Sequence, residues 1–141
     1  MKIAVIGSGG REHALLYALN KSPKTSKLYA LPGNAGTAKL AENINITTHD
    51  EILAFCKKEQ IDLVVIGPEA PLVEGLSDLL AESNIKAFGP SQKAAKLEES
   101  KNFTKEICKK YNIPTATGEE FTNLQDAHEY IKQIGSPIVI K

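Results

Sequence analysis

Three unbroken apolar runs, Ile3-Ala4-Val5-Ile6, Leu28-Tyr29-Ala30-Leu31 and Leu63-Val64-Val65-Ile66, each reach a glycine within two residues, as does a fourth stretch ending at Phe88. A strand with one face in water alternates apolar and polar residues, whereas one without alternation is covered on both faces, as in a parallel sheet between helices. Between these runs the apolar residues recur at i, i+3 and i+4, for example Ile52, Phe55 and Cys56, or Leu76, Leu79 and Leu80, which is the helical period. Strands alternating with helices predict an α/β fold, a doubly wound parallel sheet. Strands are expected at residues 2–6, 27–31, 62–66 and 85–88, with a short extended piece at 44–47. Helices are expected at 12–20, 51–59, 71–82, 92–97 and 101–110, with Asp50, Ser91 and Ser100 as candidate caps.

The pattern breaks at Tyr111-Asn112-Ile113-Pro114, because the residue before a proline is pushed out of the helical region. It restarts with a short strand expected at 120–121, a helix at 126–134 closed by Gly135, and an apolar strand at 137–141. That final strand has no turn or helix after it, so the sequence predicts one α/β domain over residues 1–100 and the truncated beginning of a second over 101–141.

Seventeen basic side chains balance seventeen acidic ones, so the chain lacks the basic patch by which proteins neutralise nucleic-acid phosphates. No apolar run approaches the roughly 20 residues of a bilayer-crossing helix, and a strand stands where a secretory leader would begin. A cytoplasmic protein without nucleic-acid or membrane partners is expected. Cys56 and Cys108 show no metal or redox spacing and read as free, mostly buried thiols. His13, His49 and His128 show no zinc-ligand spacing, and Ser8 lies in Gly-Ser-Gly-Gly, which is not a nucleophile elbow.

In an open parallel sheet the carboxyl ends of the strands share one edge, where ligands bind. The loops 7–11, 32–37, 67–71 and 89–91 fall on that edge and bring Gly9, Gly10, Arg11, Asn34, Thr37 and Glu69 to a candidate small-molecule site. Arg11 is the single arginine beside sixteen lysines. A rigid planar fork suits a phosphate or a carboxylate; a structural ion pair with Glu12 or Glu69 is the other reading. His13, at the helix start, reads as hydrogen-bonding its own loop. A dinucleotide fingerprint needs a third glycine and an acid about 20 positions on. Here Glu12 stands at the third position and Leu31-Pro32-Gly33 where the acid belongs. By position alone, Lys101 and Lys141 read as solvated lysines.

The ordered blocks Gly7-Ser8-Gly9-Gly10-Arg11-Glu12-His13-Ala14, Pro32-Gly33-Asn34-Ala35-Gly36-Thr37-Ala38, Val65-Ile66-Gly67-Pro68-Glu69-Ala70-Pro71-Leu72, Phe88-Gly89-Pro90-Ser91, Ser100-Lys101-Asn102-Phe103, Ile113-Pro114-Thr115-Ala116 and Pro137-Ile138-Val139-Ile140-Lys141 resemble the N-terminal part of the phosphoribosylamine–glycine ligase family, the glycinamide ribonucleotide synthetases. The resemblance runs the length of the chain. It implies a Rossmann-like pre-ATP-grasp domain followed by the start of an ATP-grasp domain, in an enzyme of purine biosynthesis. That enzyme uses ATP, with Mg²⁺ or Mn²⁺, to join glycine to 5-phosphoribosylamine through glycyl phosphate. By the same resemblance Gly9, Gly10 and Arg11 hold the substrate phosphate, and Asn34, Thr37 and Glu69 lie near the ribose and amine. Lys101 and Lys141 become nucleotide contacts. The metal ligands are expected beyond residue 141, the partner is the rest of the ATP-grasp domain, and the fragment is expected to be inactive alone. Two other readings stay open: the N-terminal domain of a different ATP-grasp ligase or carboxylase, and a Rossmann-like dinucleotide- or nucleotide-sugar-binding module.

Overall fold

A computed structural model describes residues 1–140 and places β1 (Lys2–Gly7) at the centre of a five-stranded sheet. On one side of β1 lie β2 (Lys27–Pro32) and the short β3 (Glu42–Asn43); on the other lie β4 (Leu63–Ile66) and β5 (Ala87–Phe88). The order is β3-β2-β1-β4-β5 and every pairing is parallel. Successive side chains of a strand point to opposite faces, and each face meets its own helices. Ala4 and Ile6, with Leu31, Val64 and Ile66, pack on Ile52 and Cys56 of α2 (His49–Glu59), Leu72 of α3 (Glu69–Val73), and Leu76 and Leu80 of α4 (Leu76–Glu82). Ile3 and Val5, with Leu28, Ala30 and Val65, pack on Leu16 of α1 (Gly10–Asn20). Burial on both faces is why the runs do not alternate, and the doubly wound parallel sheet is the architecture found.

The strand order reverses beside β1: the chain moves outward through β2 and β3, then crosses to β4 on the far side. At such a switch point the loops leaving adjacent strands run in opposite directions and open a crevice between their carboxyl ends. Here the crevice lies between Gly7 and Gly67.

Local differences from the sequence reading have local causes. The extended piece expected at 44–47 is not the edge strand; β3 pairs at Glu42 and Asn43, and the Ile46 N–H turns back to Ile44 O at 2.8 Å, lifting the chain off the edge. The expected helix 71–82 is two helices, α3 and α4, because Gly75 takes φ +95 between them and a left-handed residue ends a right-handed helix. α2 is capped by Thr48, not Asp50. The Thr48 hydroxyl accepts the Glu51 N–H at 3.3 Å, and the Glu51 carboxylate accepts the Thr48 N–H at 3.2 Å, a reciprocal capping box. Only 87–88 of the expected strand 85–88 pairs with β4. α5 (Gln92–Glu99) follows, with Ser91 Oγ accepting the Ala94 N–H as expected.

The chain divides into two compact units, Met1–Glu99 and Ser100–Lys141. The second contains α6 (Lys101–Lys110), where Ser100 Oγ accepts the Phe103 N–H at 3.2 Å, and α7 (Leu124–Ile134), capped by Asn123 and closed by Gly135 at φ +77. Phe121, expected in a strand, instead stacks its ring on Tyr130 with centroids 5.0 Å apart. Residues 137–140 form no strand either. A strand needs a neighbour to satisfy its N–H and C=O groups, and this unit's described residues contain no other strand; Lys141 lies outside the described residues.

The two thiols separate by environment. Cys56 is buried in α2, and desolvation pushes its pKa up to about 11, while Cys108 on α6 is only half-buried. Alkylation requires thiolate and access. At pH 8 Cys108 is therefore expected to react well before Cys56, as peptide mass spectrometry after a timed iodoacetamide pulse would show; equal rates would contradict this environment for Cys56.

Candidate functional site

The first turn of α1 follows β1 after only Ser8 and Gly9. Consecutive helical residues point about 100° apart, so Arg11, Glu12 and His13 leave the turn in three directions. Arg11 goes toward β4: Nη1 donates to Gly67 O at 2.7 Å and to Glu69 Oε1 at 3.1 Å, and Nη2 donates to the same oxygen at 3.0 Å. The second Nη2 hydrogen and the Nε–H stay available, and the side chain is 60% exposed. Glu12 goes inward, 5% exposed, and Oε2 accepts the Gly9 N–H at 2.6 Å. His13 goes toward β2, where a Cβ on Gly36 would lie 3.3 Å from His13 Cε1. Residues 7–12 and Pro68 bound an open cleft of about 420 Å³.

The loop after β2 is held against the first by backbone and side chain. Gly33 N–H donates to Gly7 O at 3.2 Å, and Asn34 Nδ2 donates to Ser8 O at 2.7 Å. Asn34 Oδ1 accepts the N–H groups of Gly36 and Thr37 at 2.7 and 3.0 Å. Thr37 is fully buried; its Oγ1 accepts the Asn34 N–H at 2.7 Å and stands 2.8 Å from both Asn34 O and Asn43 Oδ1. Asn34 and Thr37 thus build this loop, and Thr37 presents no surface to the cleft. The fourth loop contributes less: a Cβ at Gly89 would meet Leu72 Cδ2 at 2.6 Å, so that glycine serves close packing on the core.

Of the two readings of Arg11, the ion pair is present, with Glu69 and not Glu12. The Glu69 carboxyl is held below its usual value, first by its own backbone N–H and then by Arg11. A depressed carboxyl contributes stability above its unfolded pKa and loses that contribution as pH falls through the lower folded value. Glu69 is therefore charged at neutral pH. In Arg11→Ala its NMR titration midpoint is expected to rise only part way, because the backbone N–H remains; a full return to the usual value would make Arg11 the sole cause.

The sequence reading gave Glu12 as a missing glycine and as a candidate ion-pair partner of Arg11, neither of which is its place in the fold. The usable signal was an acid three residues after a helix-capping position, half of a capping box; Gly9 has no side chain to supply the other half. Lys101 opens α6 in the second unit, and Lys141 is outside the described residues. Among the described residues no cluster of His, Cys, Asp or Glu could hold a metal ion, and no helix is long and apolar enough to cross a membrane.

Two family models divide the chain between them: Phosphoribosylglycinamide synthetase, N domain, matches residues 1–98, and the ATP-grasp (A) domain of the same synthetase matches residues 99–141. The chain belongs to the phosphoribosylglycinamide synthetase family. Among curated relatives, phosphoribosylamine–glycine ligases of Mesorhizobium japonicum and of Neisseria meningitidis serogroup B are each 52% identical to it, over all of this chain and 34% of theirs. The chain spans about a third of the length of these relatives. The crystal structure of phosphoribosylamine–glycine ligase from Thermotoga maritima superimposes with a TM-score of 0.69 at 31% identity, covering 94% of this chain and 30% of that one. The Thermotoga maritima N5-carboxyaminoimidazole ribonucleotide synthetase, at 22% identity and a TM-score of 0.68 over 96% of this chain and 37% of that one, shares the fold.

Proposed function

We propose that this chain forms the phosphoribosyl-binding side of a phosphoribosylamine–glycine ligase and the opening of its ATP-grasp domain. The observation that carries this is the family match along the whole chain, one model ending at residue 98 and the next beginning at 99. In the proposed reaction a glycine carboxylate oxygen attacks the γ-phosphorus of ATP and ADP leaves. The amine of 5-phosphoribosylamine then attacks the carbonyl of glycyl phosphate, loses a proton and expels phosphate, giving glycinamide ribonucleotide for purine synthesis in the cytoplasm.

On this chain the substrate phosphate is received at the cleft mouth by the Gly10 N–H and the available N–H groups of Arg11, while Gly9, whose own N–H is bonded to Glu12, lines the cleft and leaves room for the phosphate to approach. A helix N-terminus with free donors and a guanidinium fork both favour a phosphate. Glu69, bonded to Arg11, and Asn34, bonded to Ser8, each adjoin a residue that lines the cleft and would lie near the ribose and amine, and Thr37 acts by shaping the Asn34 loop. Lys101 and Lys141 would serve the nucleotide. The described residues offer no ligand cluster for the Mg²⁺ or Mn²⁺ of the proposed reaction, whose ligands would come from the ATP-grasp domain beyond residue 141.

Glycinamide ribonucleotide formation, assayed with ATP, Mg²⁺, glycine and phosphoribosylamine, is expected from the full-length ligase that carries this chain and not from the 141 residues alone. A full-length protein that consumes no ATP in response to phosphoribosylamine and glycine would overturn the assignment.

A further inference from the structure

We propose that Glu12 is a positioning residue that fills the innermost anion position of the β1/β4 crevice with the protein's own carboxylate, so that a single substrate phosphate is received at the mouth. This deepens the functional reading above and rests on it for the identity of the substrate. In dinucleotide-binding folds the glycines of the first loop let a pyrophosphate approach the backbone at the helix N-terminus. Here the glycines make room for Glu12. A Cβ at Gly7 would lie 2.7 Å from Glu12 Cγ, one at Gly9 would lie 2.8 Å from Oε2, and one at Gly67 would lie 2.7 Å from both Cγ and Cδ. Those glycines stand at the ends of the two strands that flank the switch point, Gly7 and Gly9 at and after the end of β1 and Gly67 just after β4, so one side chain meets both walls of the crevice.

Two consequences follow for a ligand. The Gly9 N–H, which points inward, is already taken by Oε2 at 2.6 Å. The N–H groups of Gly10 and Arg11 have no carbonyl in a preceding turn to accept them, and they remain at the mouth beside the Arg11 fork. A second phosphate would have to enter space already filled, next to a like charge with little water to screen it. A lone monophosphate meets neither obstacle. A simple helix cap would not need three glycines cleared around it, because a capping carboxylate usually lies on the surface.

The test uses the full-length ligase with Glu12→Ala, Glu12→Gln and Gly67→Ala. Gln keeps an oxygen for the Gly9 N–H, and Gly67 is outside the left-handed region, so alanine there disturbs Glu12 without backbone strain or loss of charge. The KM for phosphoribosylamine is expected to rise about ten-fold in Glu12→Ala and in Gly67→Ala, with the KM for ATP within about two-fold of wild type and Glu12→Gln restoring most of the loss. The double variant Glu12→Ala/Gly67→Ala is expected to be more thermostable than Gly67→Ala, since the group that clashes is gone. If Glu12→Ala does not fold, Glu12→Gln and Gly67→Ala carry the comparison. A rise shared equally by both KM values, or no rise in Gly67→Ala, would overturn the proposal. Gln as damaging as Ala would also overturn it, by placing the charge on the substrate itself. Should the wild-type ligase not turn over phosphoribosylamine, the functional reading fails by itself. Calorimetric binding of inorganic phosphate to the same variants then decides the role of Glu12, with weakening in Glu12→Ala and Gly67→Ala expected and unchanged binding overturning it.

Discussion

Replacing Arg11 with alanine is expected to lower kcat/KM for phosphoribosylamine roughly a hundred-fold in the full-length ligase, with little change in thermal midpoint. Two effects add. The guanidinium offers its remaining Nη2 and Nε hydrogens to the phosphate, and charge-assisted bonds of this kind are stronger than neutral ones. Removing Arg11 also uncovers Glu69, whose carboxylate it holds at 3.0 Å, and a bare carboxylate beside the cleft repels a phosphate. Stability is hardly affected because the pair is solvent-exposed, and exposed ion pairs contribute little. Two companion variants separate the effects. Arg11→Lys keeps a charge but cannot bond Gly67 O, Glu69 and a phosphate together, so it is expected to recover only about ten-fold. Arg11→Ala/Glu69→Gln is expected to bind the substrate better than Arg11→Ala, because the repelling charge is gone. An unchanged KM for phosphoribosylamine in Arg11→Ala would confine this arginine to holding the loop.

The sheet was legible because its strands are covered on both faces, which writes an unbroken apolar run for β1, β2 and β4. β3 was misplaced because a two-residue edge strand carries almost no pattern. The stronger apolar signal, Ile44 and Ile46, belongs to side chains packed against the core past the two paired residues, where the Ile44 N–H makes the last bond to β2 at Ala30 O. The break at Gly75 was hidden because apolar spacing continues across it while the backbone does not. In the site, position along the chain correctly gathered Arg11, Asn34 and Glu69 at one edge, since parallel strands put those loops there by topology. Exposure was not legible. Asn34 and Thr37 are the residue types that bind ribose hydroxyls, but they are equally the types that close a tight turn, and here they bond each other. Glu12 was the largest omission: from sequence it breaks a fingerprint, while in the fold it explains why glycines stand at 7, 9 and 67.

The glycines of Gly7-Ser8-Gly9-Gly10 are therefore expected to separate by substitution. Gly7→Ala is expected to destabilise the protein by about 3 kcal/mol in urea unfolding, since φ there is +121 and the new Cβ would lie 2.7 Å from Glu12 Cγ and 3.0 Å from Pro68 Cδ. Gly10→Ala reverses the sign. It opens α1, nothing lies within 4 Å of its Cβ and its φ is not left-handed, so the smaller entropy of the unfolded chain is expected to stabilise it by about 0.5 kcal/mol. That same Cβ stands in the cleft, beside the N–H group assigned to the phosphate. Gly10→Ala should thus be the more stable protein and the weaker enzyme, with its KM for phosphoribosylamine raised about ten-fold and its KM for ATP unchanged. If Gly10→Ala keeps the wild-type KM, the phosphate does not sit on the first turn of α1. If Gly7→Ala unfolds no more easily than wild type, Glu12 does not fill the crevice. A glycine whose alanine variant folds better but binds worse is one that the ligand, and not the fold, requires.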